Sequence, residues 1–320
     1  MFDKSSNPAN PQWEKQTIQK VLLEHITEQR RARRWSIFFK LVVLGLVGIL
    51  FYQFFDRELP QPVITSMPHT AIIEITGEIG PGAESDADNI RDSLHAAFEN
   101  KQVKGVILRI NSPGGSPVQA RQIYSEVRSL RAQYPQTLIY AVIEDLGTSA
   151  AYLIASATDA IYCDKTSLVG SIGVKIDSFG FVDVMHKVGV ERRLYVAGKY
   201  KGILDPYLPS DPTEDAFIHS QLDIVHKAFI DNVKEGRGTR LRNSPDLFTG
   251  LFWSGESALS LGLVDGFGDA QFVASELIKA ENLVDYTPSE NLLDRIARRV
   301  GASIGNAVST QVGLTQKGVR

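Results

Sequence analysis

Between Thr137 and Ser156 the chain passes directly from a β-branched run to a small-residue helix, with a serine at the join. Thr137-Leu-Ile-Tyr-Ala-Val-Ile143 shows no polar alternation, the pattern of a parallel strand covered on both faces. Gly147 marks the turn, where a residue without Cβ lets the backbone reverse tightly. From Ala150 to Ala157 the residues are small and apolar, with helical character. A strand feeding a helix in this way points to an α/β architecture. Ser149 then falls at the carboxyl end of a strand and the start of a helix, where open α/β sheets seat ligands and negative charge is favoured. The plain alternative is that Thr148 or Ser149 only caps the helix, and the stretch alone favours that reading.

The same alternation continues on both sides. Strands are predicted over 71–76, 103–110 and 160–163, with helices over 87–99 and 118–134, and right-handed crossovers between them. Ile90, Leu94 and Phe98 share one helical face. Further on, the pattern predicts a helix over 179–188, a strand over 191–197 and a loop over 198–206. A long helix over 211–235 follows, with Asp211 and Thr213 available as caps, then helices over 255–261 and 270–280 around a Gly-punctuated turn. With 320 residues, 43% of them hydrophobic, there is material for a substantial core. A net charge of −3 gives no electrostatic footprint for nucleic acid. The single cysteine, Cys163, lies in an apolar run, so it reads as a buried structural thiol, and no disulfide or thiolate metal site forms within one chain. The six histidines show no metal-ligand spacing, so neither metal nor cofactor is expected.

The N-terminal segment carries a membrane signal. Residues 1–34 are polar and end in Arg30, Arg31, Arg33 and Arg34. Trp35 to Phe55 is then almost wholly apolar, long enough for the roughly 20 residues that a spanning helix needs. Lys40 lies near the basic end, where its stem can snorkel. Arginines before the run and only Arg57 soon after it place the N-terminus inside, and no small-residue cleavage pattern follows. The expectation is a signal anchor at 35–55, a Pro-rich linker at 56–69 and everything later across the membrane.

Chemistry is sought in two Gly-rich stretches and a serine. Asn111-Ser-Pro-Gly-Gly115 lacks the Gly-Lys-Ser/Thr ending and the Gly-x-Gly-x-x-Gly spacing of phosphate loops. Its adjacent glycines could instead present backbone N–H groups to an oxyanion, together with that of Ala150, or simply make a tight turn. A serine nucleophile needs a base, and no histidine is obviously suited. A lysine serves if it is held neutral, and Lys199 and Lys201 have apolar loop company; a solvated loop charge is the alternative.

Asn111-Ser-Pro-Gly-Gly, Gly147-Thr-Ser-Ala-Ala-Tyr-Leu-Ile-Ala, Gly170-Ser-Ile-Gly-Val, Gly198-Lys-Tyr-Lys and Gly255-x-x-Ala-x-x-x-Gly-Leu-Val-Asp265 occur in that order. In this the chain resembles the signal peptide peptidase A family, membrane-anchored serine–lysine peptidases, over about residues 70–280. The resemblance implies an α/β fold of the Clp protease and crotonase type, a spiral of ββα units, preceded by one transmembrane helix. It implies Ser149 as nucleophile, Lys201 as general base and Ser171 as the hydroxyl that orients the lysine. Gly114 or Gly115, with Ala150, would supply the oxyanion N–H groups. Many relatives carry Ser-Gly-Gly-Tyr where this chain has Ser149-Ala150-Ala151-Tyr152, which bears on substrate preference more than on activity.

The resulting expectation is a peptidase domain at 70–285 and an amphipathic segment with a flexible tail at 286–320. It would cleave apolar peptides such as signal-peptide remnants on the periplasmic side of a bacterial inner membrane, as a homo-oligomer in contact with membrane lipid. The rivals are a crotonase-type acyl-CoA enzyme and a non-catalytic membrane scaffold on the same fold.

Overall fold

The central strands carry apolar residues at successive positions because helices cover the sheet on both sides. In the computed structural model, residues 67–288 are described, together with 23, 31 and the helical stretch 33–48. Two units separate, 1–62 and 63–320. Among the described residues no helix is long and apolar enough to cross a membrane. The anchor predicted at 35–55 is helical over 35–48, and its remainder lies outside the described residues, as do most of the linker and the 291–308 amphipathic segment.

The second unit runs β1 (His69–Ile79), α1 (Ala87–Glu99), β2 (Val103–Gly115), α2 (Pro117–Gln133), β3 (Leu138–Thr148), α3 (Ala150–Ser156), β4 (Ala160–Cys163) and β5 (Leu168–Gly170). Then come α4 (Val182–Val188), α5 (Pro212–Arg237), β6 (Phe252–Ser254), α6 (Gly255–Ser260), β7 (Gly266–Phe267), α7 (Ala270–Phe272) and β8 (Leu283–Asp285). The sheet order is β6-β5-β3-β2-β1-β8, with β4 on β3 and β7 on β4. All these pairs are parallel except β5 with β6.

Ala71, Ile73, Ile75, Val106, Leu108, Ile110, Ile139, Ala141 and Ile143 face α1, α2 and α3. Ile72, Ile107, Tyr140 and Val142, at the alternate positions, face Ala270, Val273 and Ala274. Period-2 exposure is thus replaced by burial on both faces, as the uninterrupted run in β3 requires. The outer edge of β3 is shared. Residues 140–143 pair with β4, and 146–148 pair with β5, so the strand is supported right up to Ser149.

Several sequence expectations are corrected. The Gly-rich stretch 111–115 is part of β2 rather than a loop, with Glu78 opposite Gly114, Ile79 opposite Gly115 and Ser112 opposite Gly147. The strand expected over 191–197 is irregular and mostly exposed, and among the described residues no strand pairs with it. The helix over 270–280 continues after Phe272 as a wider π-type turn, Val273–Ile278. The helix predicted from Phe179 starts only at Val182. By contrast α1 has the predicted limits, and Asp211 caps α5 by accepting from Thr213 N and Glu214 N.

The Gly255 to Asp265 motif is a structural clamp. A Cβ at Gly255 would lie 2.0 Å from Asp164 O, and one at Gly262, where φ is +75°, would lie 1.8 Å from Arg240 O. Asp265 forms a paired contact with Arg237, Nη1 to Oδ2 at 2.7 Å and Nη2 to Oδ1 at 3.0 Å, and Arg237 is only 1% exposed. Arg237 also donates to Gly262 O from Nε and Nη2. Its helix crosses α3 so closely that a Cβ at Gly236 would fall 2.0 Å from Ser156 O. Tyr152 of α3 donates its hydroxyl to Leu263 O at 2.7 Å. The helix that follows Ser149 is therefore gripped from behind.

Truncating one member of a buried ion pair strands the other charge. Asp265→Ala should cost about 3–5 kcal/mol in urea unfolding of the full chain. Cys163 is fully buried, and burial pushes its thiol from 9.0 up to about 12. The folded state thus favours the protonated thiol. That contribution is complete below the unfolded value and is lost as pH rises from 9.0 towards about 12. A thiol reagent at pH 8 should leave Cys163 unmodified until denaturant is added, and the alkaline loss of stability should be shallower in Cys163→Ala.

Candidate active site

Ser149 sits between β3 and α3 with φ 55° and ψ −125°. A residue with a Cβ adopts such a backbone only when its surroundings force it. Its side chain makes no capping hydrogen bond, so the plain reading of Ser149 as a helix cap fails. What forces the turn is a set of contacts on both sides. Ser149 N–H donates to Gly170 O at 2.7 Å. Thr148 is buried, and its hydroxyl donates to Pro113 O at 3.1 Å, drawing the Gly-rich end of β2 against the turn. A Cβ on Gly147 would lie 2.7 Å from the Ile143 side chain. The seven residues of α3 are all buried. Ser149 itself is half-buried, so its hydroxyl is held by a rigid frame yet borders solvent.

Gly114 and Gly115 reach this turn by different means. Gly114 has φ +104°, and a Cβ there would lie 2.8 Å from Ser149 Cβ and 2.9 Å from Ala150 N. Residue 114 can approach the serine and the Ala150 amide this closely because it has no side chain. The Gly114 N–H donates to Ser112 Oγ at 3.1 Å, and Ser112 in turn donates to Gly77 O. Gly115, at φ +147°, faces β1, where a Cβ would meet Ile79 O at 2.1 Å. The two glycines are thus needed for separate reasons.

Ser171 lies next to the Gly170 carbonyl that holds Ser149, and it too has a positive φ, 51°. Its N–H donates to Leu251 O at 2.8 Å. Trp253 packs behind, with its Cδ1 3.0 Å from the Cβ that Gly170 lacks. Ser149, Ala150, Gly114, Gly115 and Ser171 are therefore brought together.

The lysines are not part of that group within one chain. From Gly173 to Ala228 no residue is buried. Phe179, Val188, Tyr195, Phe217 and Ile224 are among the exposed apolar side chains of this arm. Lys201 lies in its turns, exposed, with its backbone N–H on Gly198 O. Among the described residues its ammonium has no hydrogen bond to Ser149 or Ser171. Lys199 stands over the Tyr200 ring at 4.9 Å, and interaction with the Tyr200 hydroxyl raises it above the ordinary lysine value. The Leu251 carbonyl did not stand out in the sequence, and Thr148 and Ser112, which did only as a possible cap and as part of a motif, hold the site through Pro113 and Gly77; only the fold brings these partners near.

Residues 132–284 match Peptidase family S49. Over 221 residues the chain is 43% identical to a Brucella melitensis protein named Na(+)/H(+) antiporter NhaA, covering 68% of this chain and 30% of that protein. The chain thus spans less than a third of that relative's length. A putative protease of Methanocaldococcus jannaschii is 30% identical over 236 residues, 72% of this chain and 75% of that protein. A putative signal peptide peptidase SppA of Enterococcus faecium is 26% identical over 253 residues, 78% and 73% of the two chains. The family match runs from the end of α2 through the Ser149 turn to β8, and with a protease relative aligned over most of its length the chain belongs to peptidase family S49, the signal peptide peptidase A family.

Proposed function

We propose that this serine peptidase is a membrane-anchored endopeptidase that uses a Ser149–Lys201 dyad on apolar peptides, such as signal-peptide remnants, outside the cytoplasm. The observation that carries the reading is the Ser149 backbone: φ 55°, no capping bond, and a close approach of Gly114 that only a residue without a side chain permits. The Ser149 hydroxyl attacks the peptide carbonyl while the neutral amine of Lys201 takes its proton. The tetrahedral oxyanion is met by backbone N–H groups. Ala150 supplies one; because the Gly114 N–H is held by Ser112, Gly115 is the better candidate for the other. Lys201 then returns the proton to the leaving amine, and water repeats the sequence on the acyl-serine. Ser171 holds the lysine amine in place.

The exposed arm supports a homo-oligomer. A charged lysine becomes neutral most readily when water is removed. In one chain Lys201 is exposed, so a second copy covering the arm would supply the dry surroundings that its own chain does not. The basic cluster Arg30 to Arg34 followed by the apolar run 35–55 supports the anchor and its orientation, with membrane lipid as a further contact.

Hydrolysis of an apolar fluorogenic peptide by the full chain is the direct test. Ser149→Ala and Lys201→Ala should each lower kcat by about a thousandfold or more, while Lys199→Ala stays near wild type. The rate should rise towards alkaline pH, since only the neutral amine accepts the proton. Activity that survives Ser149→Ala would sink the mechanism, and an assembled but inactive wild type would favour the scaffold. Gly114→Ala should lower kcat by roughly a hundredfold, because its methyl group occupies the oxyanion space; Gly77→Ala, where nothing lies within 4 Å of the added Cβ, is the control for positive φ alone.

A further inference from the structure

The arm leaves the core and rejoins it at two points that touch. Ile172, fully buried, is its last core residue on the way out, and Phe229 is the first on the way back. Just before Phe229, on α5, His226 Nε2 lies 3.1 Å from Ile172 O. A carbonyl only accepts, so Nε2 carries the hydrogen. This bond closes the arm at its root. It also ends on the segment that carries the site, because Ile172 directly follows Ser171.

Three consecutive residues are then pinned by three different parts of the fold. Gly170 O accepts from Ser149 N–H, Ser171 N–H donates to Leu251 O, and Ile172 O accepts from His226. Just beyond them the backbone crosses tightly, since a Cβ on Gly173 would fall 2.9 Å from Gly250 Cα. Of the three pins, only the last comes from the arm. We propose that His226 is a positioning residue, a latch that ties the arm to the Gly170–Ile172 segment and so holds Ser171 and the Ser149 turn in register with the arm that bears Lys201. The catalytic part of this inference rests on the Ser149–Lys201 reading. The latch itself does not.

The fold does not need the latch. The carboxyl half of α5 is anchored by Phe229, Val233 and the Arg237–Asp265 pair, all independent of His226. Removing the bond should therefore loosen the site while leaving the core intact. His226→Phe keeps a ring of similar size without the donor, and His226→Gln keeps an N–H donor of similar reach.

In the full chain, kcat and KM on an apolar peptide, thermal unfolding, and hydrogen–deuterium exchange of peptides covering 168–175 are measured for both variants. His226→Phe should unfold near the wild-type temperature, exchange faster over 170–173 and lose roughly ten- to hundredfold in kcat with KM little changed. His226→Gln should recover most of the protection and of the rate. Should His226→Phe fail to fold, His226→Ala takes its place with the same expected pattern. Wild-type exchange over 170–173 in a folded donor-less variant overturns the latch, as does a His226→Gln variant that behaves like His226→Phe. If Ser149→Ala retains activity the dyad reading fails separately, and the exchange data still decide whether the latch exists.

Discussion

The hydrogen bond from Ser149 N–H to Gly170 O holds a serine in a backbone conformation that it would not choose by itself. At φ 55° the local geometry is unfavourable, and it persists because β3 on one side and the fully buried α3 on the other leave no room to relax. In this conformation the hydroxyl makes no bond to the helix that a relaxed serine would cap. Much of the molecule can be understood as the support for that one turn. The split pairing of β3 with β4 and β5 carries the strand to its last residue, and the Arg237–Asp265 clamp fixes the far end of α3.

Seen from this support, the family motifs divide into two kinds. Gly114 and Gly170 are small so that other groups can stand next to the serine. Gly255, Gly262 and Asp265 never approach it; they allow the chain behind α3 to close without a clash and give a buried guanidinium its partner. A motif that repeats across a protease family is therefore not all chemistry. Part of it is the packing on which the strained Ser149 turn depends.

The arm follows a different rule. Many of its apolar residues lie exposed, and the long first part of α5, up to Ala228, has no fully buried residue. An amphipathic pattern states only that a face seeks cover. Residues 191–197 are expected as a strand, yet among the described residues no strand completes a ladder with them, and the segment is irregular.

Local pattern was enough for much of the fold: the β-branched runs of β1, β2 and β3, the face of α1 and the Asp211 cap all follow from periodicity and capping chemistry close in the chain. Ser149, Ala150, Gly114 and Gly115 were legible as candidates from residue type and position, while Ser171 and the choice of Lys201 came from the family resemblance of the motifs around them. Only the tertiary structure decided that the Gly-rich stretch is the end of a strand, that Gly114 rather than Gly115 abuts the serine, and that Ser149 does not cap its helix. Those outcomes depend on Gly170, Pro113 and Ile79, residues distant in the chain whose proximity is a property of sheet register. The exposure of Lys201 belongs to the same class: the family resemblance names the amine, but solvent contact is set by whatever folds or docks around it.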